Sequence, residues 1–524
     1  MADKTINSSR TTLGLFIFRI LRALISIVTL ILSAKYFGVS AERDAWLLAS
    51  NCLNVLDMAI WGPINETFRT KFIFIKSEEG EAVTIHKTAS LFIFTLFISA
   101  VLFTIILFYP SLATSVIAPG KSDKELEILV LILRILAPSL LLNQATLLLS
   151  NVLNAYNIFY IPEIAGFIST VLNIIFLIVL VPSIGIYSLV VSYYISLFLL
   201  LFLLIYQVRK NNIPLFKRPV VFDFQYVKPY ILFALPFFFP YFFGQLNGVA
   251  DQSIASLIGD GAVSIIDYSR KFINIPIGVL TSILTTVLVP ILSQKYLQND
   301  MVQFKNELKN SLQLGLFILG IILVFFIINS SDVVHLLYTS KKIASENLSV
   351  ISSLTILYAM SGFAIYYYST VGLALLSANK GKVYATCGVV AQLLMLLFNV
   401  LLFRTIGVFI FPISLFLSHL IAALVMTVNF PAMVKPILSS ILVYVLFIAM
   451  LSGIAYFSST YIFSHLYYAP IIMVIIKTAF IFLLAIILVF IFKMDERQLL
   501  LQAVEKAKFF VFTNVNTKWK KRDY

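Results

Sequence analysis

The chain consists largely of apolar stretches about twenty residues long with short polar breaks between them. Of its 524 residues, 60% are hydrophobic and only 12% are charged. A helix needs about 20 apolar residues to cross the hydrocarbon core of a bilayer, where it satisfies its own backbone polar groups. The sequence therefore predicts an all-α polytopic membrane protein with about fourteen transmembrane helices. They are expected near residues 13–37, 45–68, 90–109, 127–153, 161–181, 184–206, 229–257, 264–292, 311–329, 348–376, 383–403, 408–428, 437–456 and 470–492.

The basic residues indicate how these helices are oriented. The net charge is +14, and most of the 38 lysines and arginines fall in alternate connections that would all lie on one side. The positive-inside rule then predicts that both termini are cytoplasmic, which requires an even number of spans. The same rule accounts for the excess charge, so no nucleic acid partner is expected. The tail from 494 to 524 mixes leucine and phenylalanine with lysine and is expected to lie along the inner leaflet as a basic amphipathic helix.

Weak self-similarity suggests two related halves. The segment Gly38–Asp44 has the same spacing as Gly261–Asp267, and Asn173 is echoed by Asn399, which gives nearly equal offsets of 223 and 226 residues. A parallel internal repeat of this kind is typical of transporters, with the substrate bound between the halves. The expected divisions are residues 1–215 and 225–435 for two six-helix halves, 436–493 for two further transmembrane helices, and 494–524 for the tail.

Six cations lie inside the predicted spans. A charged side chain in hydrocarbon costs several kcal/mol unless it has a partner or a wet cavity, so each marks a candidate functional site. Two pairs are the best candidates for binding an anionic substrate such as a phosphate, since each pair is close in sequence on one helix. Two single cations lie near helix ends and are expected to extend to the lipid headgroups. The candidate pairs are Arg19 with Arg22 and Arg270 with Lys271, and the single cations are Arg134 and Lys477.

Acidic and amide residues lie at matching depths. Asp57 is expected at nearly the level of Arg19 and Arg22 and is predicted to pair with one of them, so these arginines are either substrate ligands or members of a structural ion pair. Asp267 is an i,i+4 partner for Lys271. Three polar residues of the seventh span could line the cavity, coordinate an ion, or link helices: Gln245, Asn247 and Asp251. The prolines at 229, 236 and 240 predict a bend in this span, either structural or a hinge.

Signatures of catalysis and of metal binding are missing from the sequence. The four histidines are scattered, and neither H-E-x-x-H nor a nucleotide-binding G-x-x-x-x-G-K-[ST] occurs. Cys52 and Cys387 lie in apolar surroundings without metal-ligand spacing. We therefore expect a transporter and not an enzyme, with no metal and no cofactor beyond a possible coupling cation of unknown identity.

Three nearly consecutive segments carry a resemblance to a known family. Residues 251–264 read DQSIASLIGDGAVS, residues 267–280 read DYSRKFINIPIGVL, and residues 285–293 read TTVLVPILS. This run resembles the eighth-helix region of the MurJ (MviN) lipid II flippases, which are related to the MATE transporters. The resemblance implies a flippase of the bacterial inner membrane that moves a polyprenyl-pyrophosphate-linked cell-envelope saccharide. It also implies a phosphate-handling role for Lys271, a gating or helix-end role for Asp44, and possible partners among other envelope-biosynthesis proteins.

The sequence also departs from this family, and three alternatives follow. Asp57 and Met58 replace an arginine pair usual in the second helix, which keeps open a flippase for exopolysaccharide or O-antigen repeat units. A MATE-type cation-coupled multidrug exporter would call for a cavity rich in carboxylates, whereas the cations listed above predict a basic one. A polysaccharide polymerase or ligase would need catalytic side chains on a large outer loop, and the outer connections are mostly short.

Overall fold

The protein is described from a computed structural model that covers residues 21, 25–156, 158–216, 222–284, 288–463, 469–498 and 501. Within these ranges it is all-α, as predicted, with seventeen α-helices and no strand. The helices are α1 (Ile25–Tyr36), α2 (Ala41–Glu79), α3 (Glu81–Phe108), α4 (Pro110–Ile117), α5 (Asp123–Leu136), α6 (Ser139–Ala155), α7 (Tyr160–Ile184), α8 (Tyr187–Lys210), α9 (Phe224–Ile258), α10 (Ala262–Ile283), α11 (Val289–Leu297), α12 (Met301–Tyr338), α13 (Ser345–Ser377), α14 (Gly381–Ile406), α15 (Ile410–Val428), α16 (Pro431–Tyr461) and α17 (Pro470–Ile491).

The number of spans is consistent with the predicted fourteen. In the described residues, nine helical stretches are long and apolar enough to cross a membrane, and the bent helix α9 makes a tenth. One of these stretches, 381–428, contains both α14 and α15. The remaining predicted spans correspond to α1, to α10, and to α5 together with α6. Helices α5 and α6 are separate because the helix is interrupted at Pro138.

Helix α9 is bent by 51° between Phe239 and Tyr241, at the third of the prolines that predict the bend. The part of α9 before the bend packs against α2 and α3. The Tyr230 ring stacks on Phe68 with ring centroids 5.4 Å apart, and the Tyr230 hydroxyl lies 3.0 Å from that of Thr88. Val227, Tyr230 and Ala234 belong to the same buried cluster as residues of α2, α3, α6 and α8. Helix α9 thus begins inside the packing of the first predicted half, although the halves themselves stay a prediction.

Candidate functional site between the helix ends

The N-terminal ends of α2 and α10 meet at one end of the bundle, which the positive-inside rule predicts to face away from the cytoplasm. Asp44 of α2 accepts hydrogen bonds from the backbone N–H groups of Gly261 and Ser264, at 2.8 and 2.9 Å, and from the Ser264 hydroxyl. The first N–H groups of a helix have no partner within the helix and carry partial positive charge. The fully buried carboxylate of Asp44 accepts hydrogen bonds from these N–H groups of α10 and offsets their positive charge. Gly261 has φ +80°, a conformation that favours glycine.

Arg43, the neighbouring residue, is buried with only 2% of its side chain exposed. Its Nη2 lies 2.8 Å from Asp267 Oδ2, and its Nε donates to Ser33 Oγ at 3.0 Å. The guanidinium also lies over the Tyr268 ring, 3.8 Å from the centroid. A buried guanidinium is stable only when its charge and donors are partnered, and these contacts join α2 to α10.

Lys121, in the connection before α5, makes the third charged contact at this end. Its Nζ lies 2.7 Å from Asp260, 2.9 Å from Glu125 and 3.6 Å from Asp44. Burial alone would lower the pKa of Lys121, but the hydrogen bonds to Asp260 and Glu125 and the charge of Asp44 raise that pKa above its ordinary value. We call these contacts the outer seal, made by Arg43, Asp44 and Lys121 on one side and Asp260, Gly261, Ser264 and Asp267 on the other.

A cavity of about 220 Å³ lies between α2, α9 and α10. Its polar wall contains a basic residue and two carboxylates: Arg270 Nη1 lies 3.7 Å from Asp251 Oδ2, and Asp251 Oδ1 accepts from Asn399 Nδ2 at 2.8 Å. The side chain of Arg270 is 40% exposed, whereas its Nε is buried and has no hydrogen-bond partner in the described structure. The polar lining residues are Asn51, Asn54, Gln245, Asp251, Gln252, Asp267 and Arg270.

Lys271 faces a different space from Arg270, its neighbour in sequence. It lines a small crevice between α1 and α10, together with Ser26, Ile27 and Leu30 of α1. Its side chain is 49% exposed, and its Nζ lies 3.8 Å from Asp267 Oδ1. The i,i+4 contact with Asp267 is therefore present, and Asp267, which belongs to the outer seal, contacts Lys271 as well as Arg43.

The other predicted site residues are distributed as follows. Asp57 is 5% exposed and accepts a hydrogen bond from Gln144 Nε2 at 2.6 Å. Arg19 and Arg22 lie outside the described residues, so their pairing with Asp57 stays a prediction. Gln245 and Asp251 line the cavity, whereas Asn247 donates to the backbone oxygen of Gln392 at 2.8 Å and also to its side chain, and so links α9 to α14.

Two cations near helix ends are held by protein groups. Lys477 Nζ lies 2.7 Å from Asp332 Oδ2 and joins α17 to α12, so Lys477 has a carboxylate partner within the protein, and its extension to the headgroups stays a prediction. A charge at this depth is more stable beside a carboxylate than in lipid. Arg134 is exposed and its Nε donates to the backbone oxygen of Leu107 at 3.1 Å, which leaves the rest of its guanidinium available for headgroups.

Arg43 and Lys121 were not among the candidate residues predicted from the sequence. The internal repeat contained the signal. Gly38–Asp44 and Gly261–Asp267 correspond in the predicted repeat, and in the structure the two segments contact each other: Asp44 binds Gly261, and Asp267 binds Arg43. Tyr268, the next residue, donates from its Oη to the Gly38 oxygen at 2.8 Å. Two related segments that meet about a pseudo-twofold axis make reciprocal contacts of this type.

Comparisons with known proteins agree with this architecture. The family model described as "Lipid II flippase MurJ" matches residues 33–493. A curated relative from Buchnera aphidicola subsp. Acyrthosiphon pisum, named probable lipid II flippase MurJ, is 23% identical over 405 residues, which is 75% of this chain and 78% of the relative.

Two solved structures share the fold. One, titled "Lipid II flippase MurJ, inward closed conformation", superposes with a TM-score of 0.75 at 20% identity and covers 94% of this chain and 99% of that one. The other, an inward-facing multidrug resistance MATE family transporter of the MOP superfamily, has a TM-score of 0.67 at 12% identity and covers 81% and 99%. Because the family model spans most of the sequence, the chain belongs to the lipid II flippase MurJ family.

Proposed function

We propose that the protein is a flippase that moves a lipid II-like, polyprenyl-pyrophosphate-linked saccharide from the inner to the outer leaflet by alternating access. Membership of the MurJ family carries this proposal. The geometry supports it, because a polar cavity lies between helices of the two predicted halves and shares Asp267 with the outer seal. The chain would then act as a transporter in the bacterial inner membrane and not as a catalyst.

The diphosphate group is the part of such a cargo that these side chains could recognise. Arg270 has a buried Nε without a partner and an exposed guanidinium face, and Lys271 is half exposed in the crevice beside α1. Phosphate oxygens bind guanidinium and ammonium groups through charge-assisted hydrogen bonds. Arg270 and Lys271 would contact the diphosphate from different sides of α10, and Arg19 and Arg22 stay predicted ligands.

The described cavity is less basic than the sequence led us to expect. Arg270 shares it with the carboxylates of Asp251 and Asp267, so one cation faces two carboxylates and the described lining is not positively charged. Both carboxylates already contact cations, at 3.7 Å for Asp251 and 2.8 Å for Asp267. Charge alone therefore no longer argues against a MATE-type exporter, whose fold is also shared. The match to the MurJ family favours the lipid-linked saccharide.

A flipping assay in reconstituted vesicles tests the proposal. We expect wild-type protein to expose lipid II on the opposite leaflet, and Arg270→Gln with Lys271→Gln to lower the rate at least tenfold, the scale of about 1.4 kcal/mol expected for a lost charge-assisted contact. The matched control is Lys295→Gln, since Lys295, in the last turn of α11, is paired only loosely with Asp300, at 3.9 Å.

Each result decides between the candidates. Full activity of the double variant would remove Arg270 and Lys271 from the phosphate site. Movement of a lipid-linked exopolysaccharide unit but not of lipid II would favour the alternative flippase. Efflux of an organic cation without lipid movement would favour the MATE-type exporter. In cells, depletion of the protein should leave lipid II in the cytoplasmic leaflet.

A further inference from the structure

Asp267 is shared between the outer seal and the proposed cargo site. Its Oδ2 lies 2.8 Å from Arg43 Nη2, and its Oδ1 lies 3.8 Å from Lys271 Nζ. The contact with Arg43 joins α2 to α10, whereas the contact with Lys271 stays within α10. One carboxylate thus has one cationic partner that holds the two helices together and another that does not.

The two cations differ in their surroundings. Arg43 is 2% exposed and fixed by Ser33 and by the Tyr268 ring, while Lys271 is 49% exposed on a flexible stem. Water screens the Lys271 contact far more than the Arg43 contact. Lys271 is therefore free to leave Asp267 for an incoming anion, and Arg43 is not.

We propose that Lys271 and Arg43 compete for the Asp267 carboxylate, so that an anion captured by Lys271 strengthens the Arg43–Asp267 contact and holds the outer seal closed while cargo enters. Arg43 and Asp267 are then positioning residues of transport. The inference rests on the proposed function, since the anion it assigns to Lys271 is the diphosphate of the cargo.

Electrostatics gives this coupling its sign. When the anion occupies Lys271, Asp267 loses one of its two cationic neighbours and its charge is left to Arg43. The bound anion also adds negative charge to the α10 side, which attracts the guanidinium on α2. Both effects act in the same direction, towards closure. The seal would open only after the anion has left Lys271.

Distances across the outer end measure the seal directly. Lys35 at the end of α1 and Lys341 between α12 and α13 are both exposed, so Lys35→Cys and Lys341→Cys can carry spin labels for pulsed electron paramagnetic resonance. The buried native cysteines are replaced by Cys52→Ala and Cys387→Ala. The full-length protein is studied in lipid nanodiscs, and inorganic pyrophosphate is the probe anion.

The expected results are specific to the pair. Arg43→Gln should raise the ratio of long to short distances about tenfold, within the usual range of coupling between sites. Asp267→Asn should have a similar effect, and the double variant should be no worse than either single one, because both remove the same contact. Arg43→Lys, which keeps the charge, should restore part of the short-distance population and so separate loss of the contact from misfolding.

The pyrophosphate response is measured where the seal is already weakened. Lys121→Gln removes the contacts with Asp260 and Asp44 but leaves Asp267 untouched, so it should raise the long-distance population without abolishing the response. In this variant pyrophosphate should lower that population several-fold. Adding Lys271→Gln should abolish the response, whereas adding Lys295→Gln should not.

Three outcomes would overturn the inference: an unchanged distance ratio in Arg43→Gln, opening of the seal by pyrophosphate, or an unchanged response after Lys271→Gln. The distance measurement uses no lipid-linked saccharide, and the flipping assay uses no label. A protein that flips lipid without the pyrophosphate response would contradict only the inference, and one that shows the response without flipping would contradict only the proposed function.

Discussion

Arg43 illustrates how a single side chain can set the state of a transporter. Its guanidinium is enclosed by Ser33, the Ser264 backbone oxygen, Asp267 and the Tyr268 ring. Each contact depends on α1, α2 and α10 staying together. If the helices separate, the guanidinium must be hydrated or find another anion. The charge of Arg43 is therefore stabilised by these partners only in the closed arrangement of the helices.

Asp57 allows the predicted ion pair to be tested at the same scale. Asp57→Asn keeps a hydrogen-bonding group beside Gln144 but removes the charge. If Arg19 or Arg22 pairs with Asp57, the variant leaves a buried cation without its partner, and we expect a loss of about 3 kcal/mol in the free energy of unfolding. Thermal unfolding in detergent measures this loss.

The control for Asp57 is a second substitution. Arg19→Gln or Arg22→Gln in the Asp57→Asn background should recover most of the lost stability, because it removes the uncompensated charge. If Asp57→Asn alone is as stable as the wild type, the pair does not form, and Gln144 is the principal partner of Asp57.

At the scale of elements, α2 and α9 lie in close contact beside the bend of α9. A Cβ atom added to Gly62 would lie 2.5 Å from two ring carbons of Tyr241. The Tyr241 hydroxyl donates to Glu66 at 3.4 Å, one turn further along α2. The bend at Pro240 and the missing side chain at Gly62 therefore contribute to the same contact, in which the Tyr241 ring packs directly against the backbone of α2.

Gly62→Ala tests this contact. The added methyl group has no room unless α2 and α9 move apart, so we expect a loss of about 1–3 kcal/mol in stability, the usual cost of overpacking, and slower flipping. Gly244→Ala is the matched control, since nothing lies within 4 Å of a Cβ there and alanine favours a helix by about 1 kcal/mol. Equal behaviour of the two variants would show that the close approach is not needed.

Local chemistry allowed these elements to be predicted only in part. The prolines of α9 predicted its bend because the loss of a backbone donor acts within the helix itself. The division of the fourth span into α5 and α6 at Pro138 was missed, since the apolar stretch continues through the break. The contact between Gly62 and Tyr241 could not be read from the chain, because it joins residues almost 180 positions apart and depends on how two helices cross.

For the whole molecule, hydropathy and repeat spacing are global signals, and they predicted the helical membrane fold and a transporter. The type of transporter was implied by the resemblance of residues 251–293 to a known family. The outer seal depends on which charges meet after folding. Arg43 and Lys121 look like ordinary residues of outer connections, and only the reciprocal contact of Gly38–Asp44 with Gly261–Asp267 makes them central. The cavity was predicted to be basic because Asp251, which lies on another helix, could not be placed beside Arg270 from spacing alone.

The orientation of the molecule decides which leaflet the outer seal controls. The positive-inside rule places Lys382, at the start of α14, in the cytoplasm and Lys341 outside, because basic connections are retained on the cytoplasmic side during insertion. Both side chains are exposed. With Cys52 and Cys387 replaced by alanine, a membrane-impermeant maleimide added to spheroplasts should label Lys341→Cys at once, and Lys382→Cys only after the membrane is broken. Labelling of Lys382→Cys from outside would show that the molecule has the opposite orientation. The outer seal would then close the cytoplasmic face, and cargo could not be loaded from that side in this state.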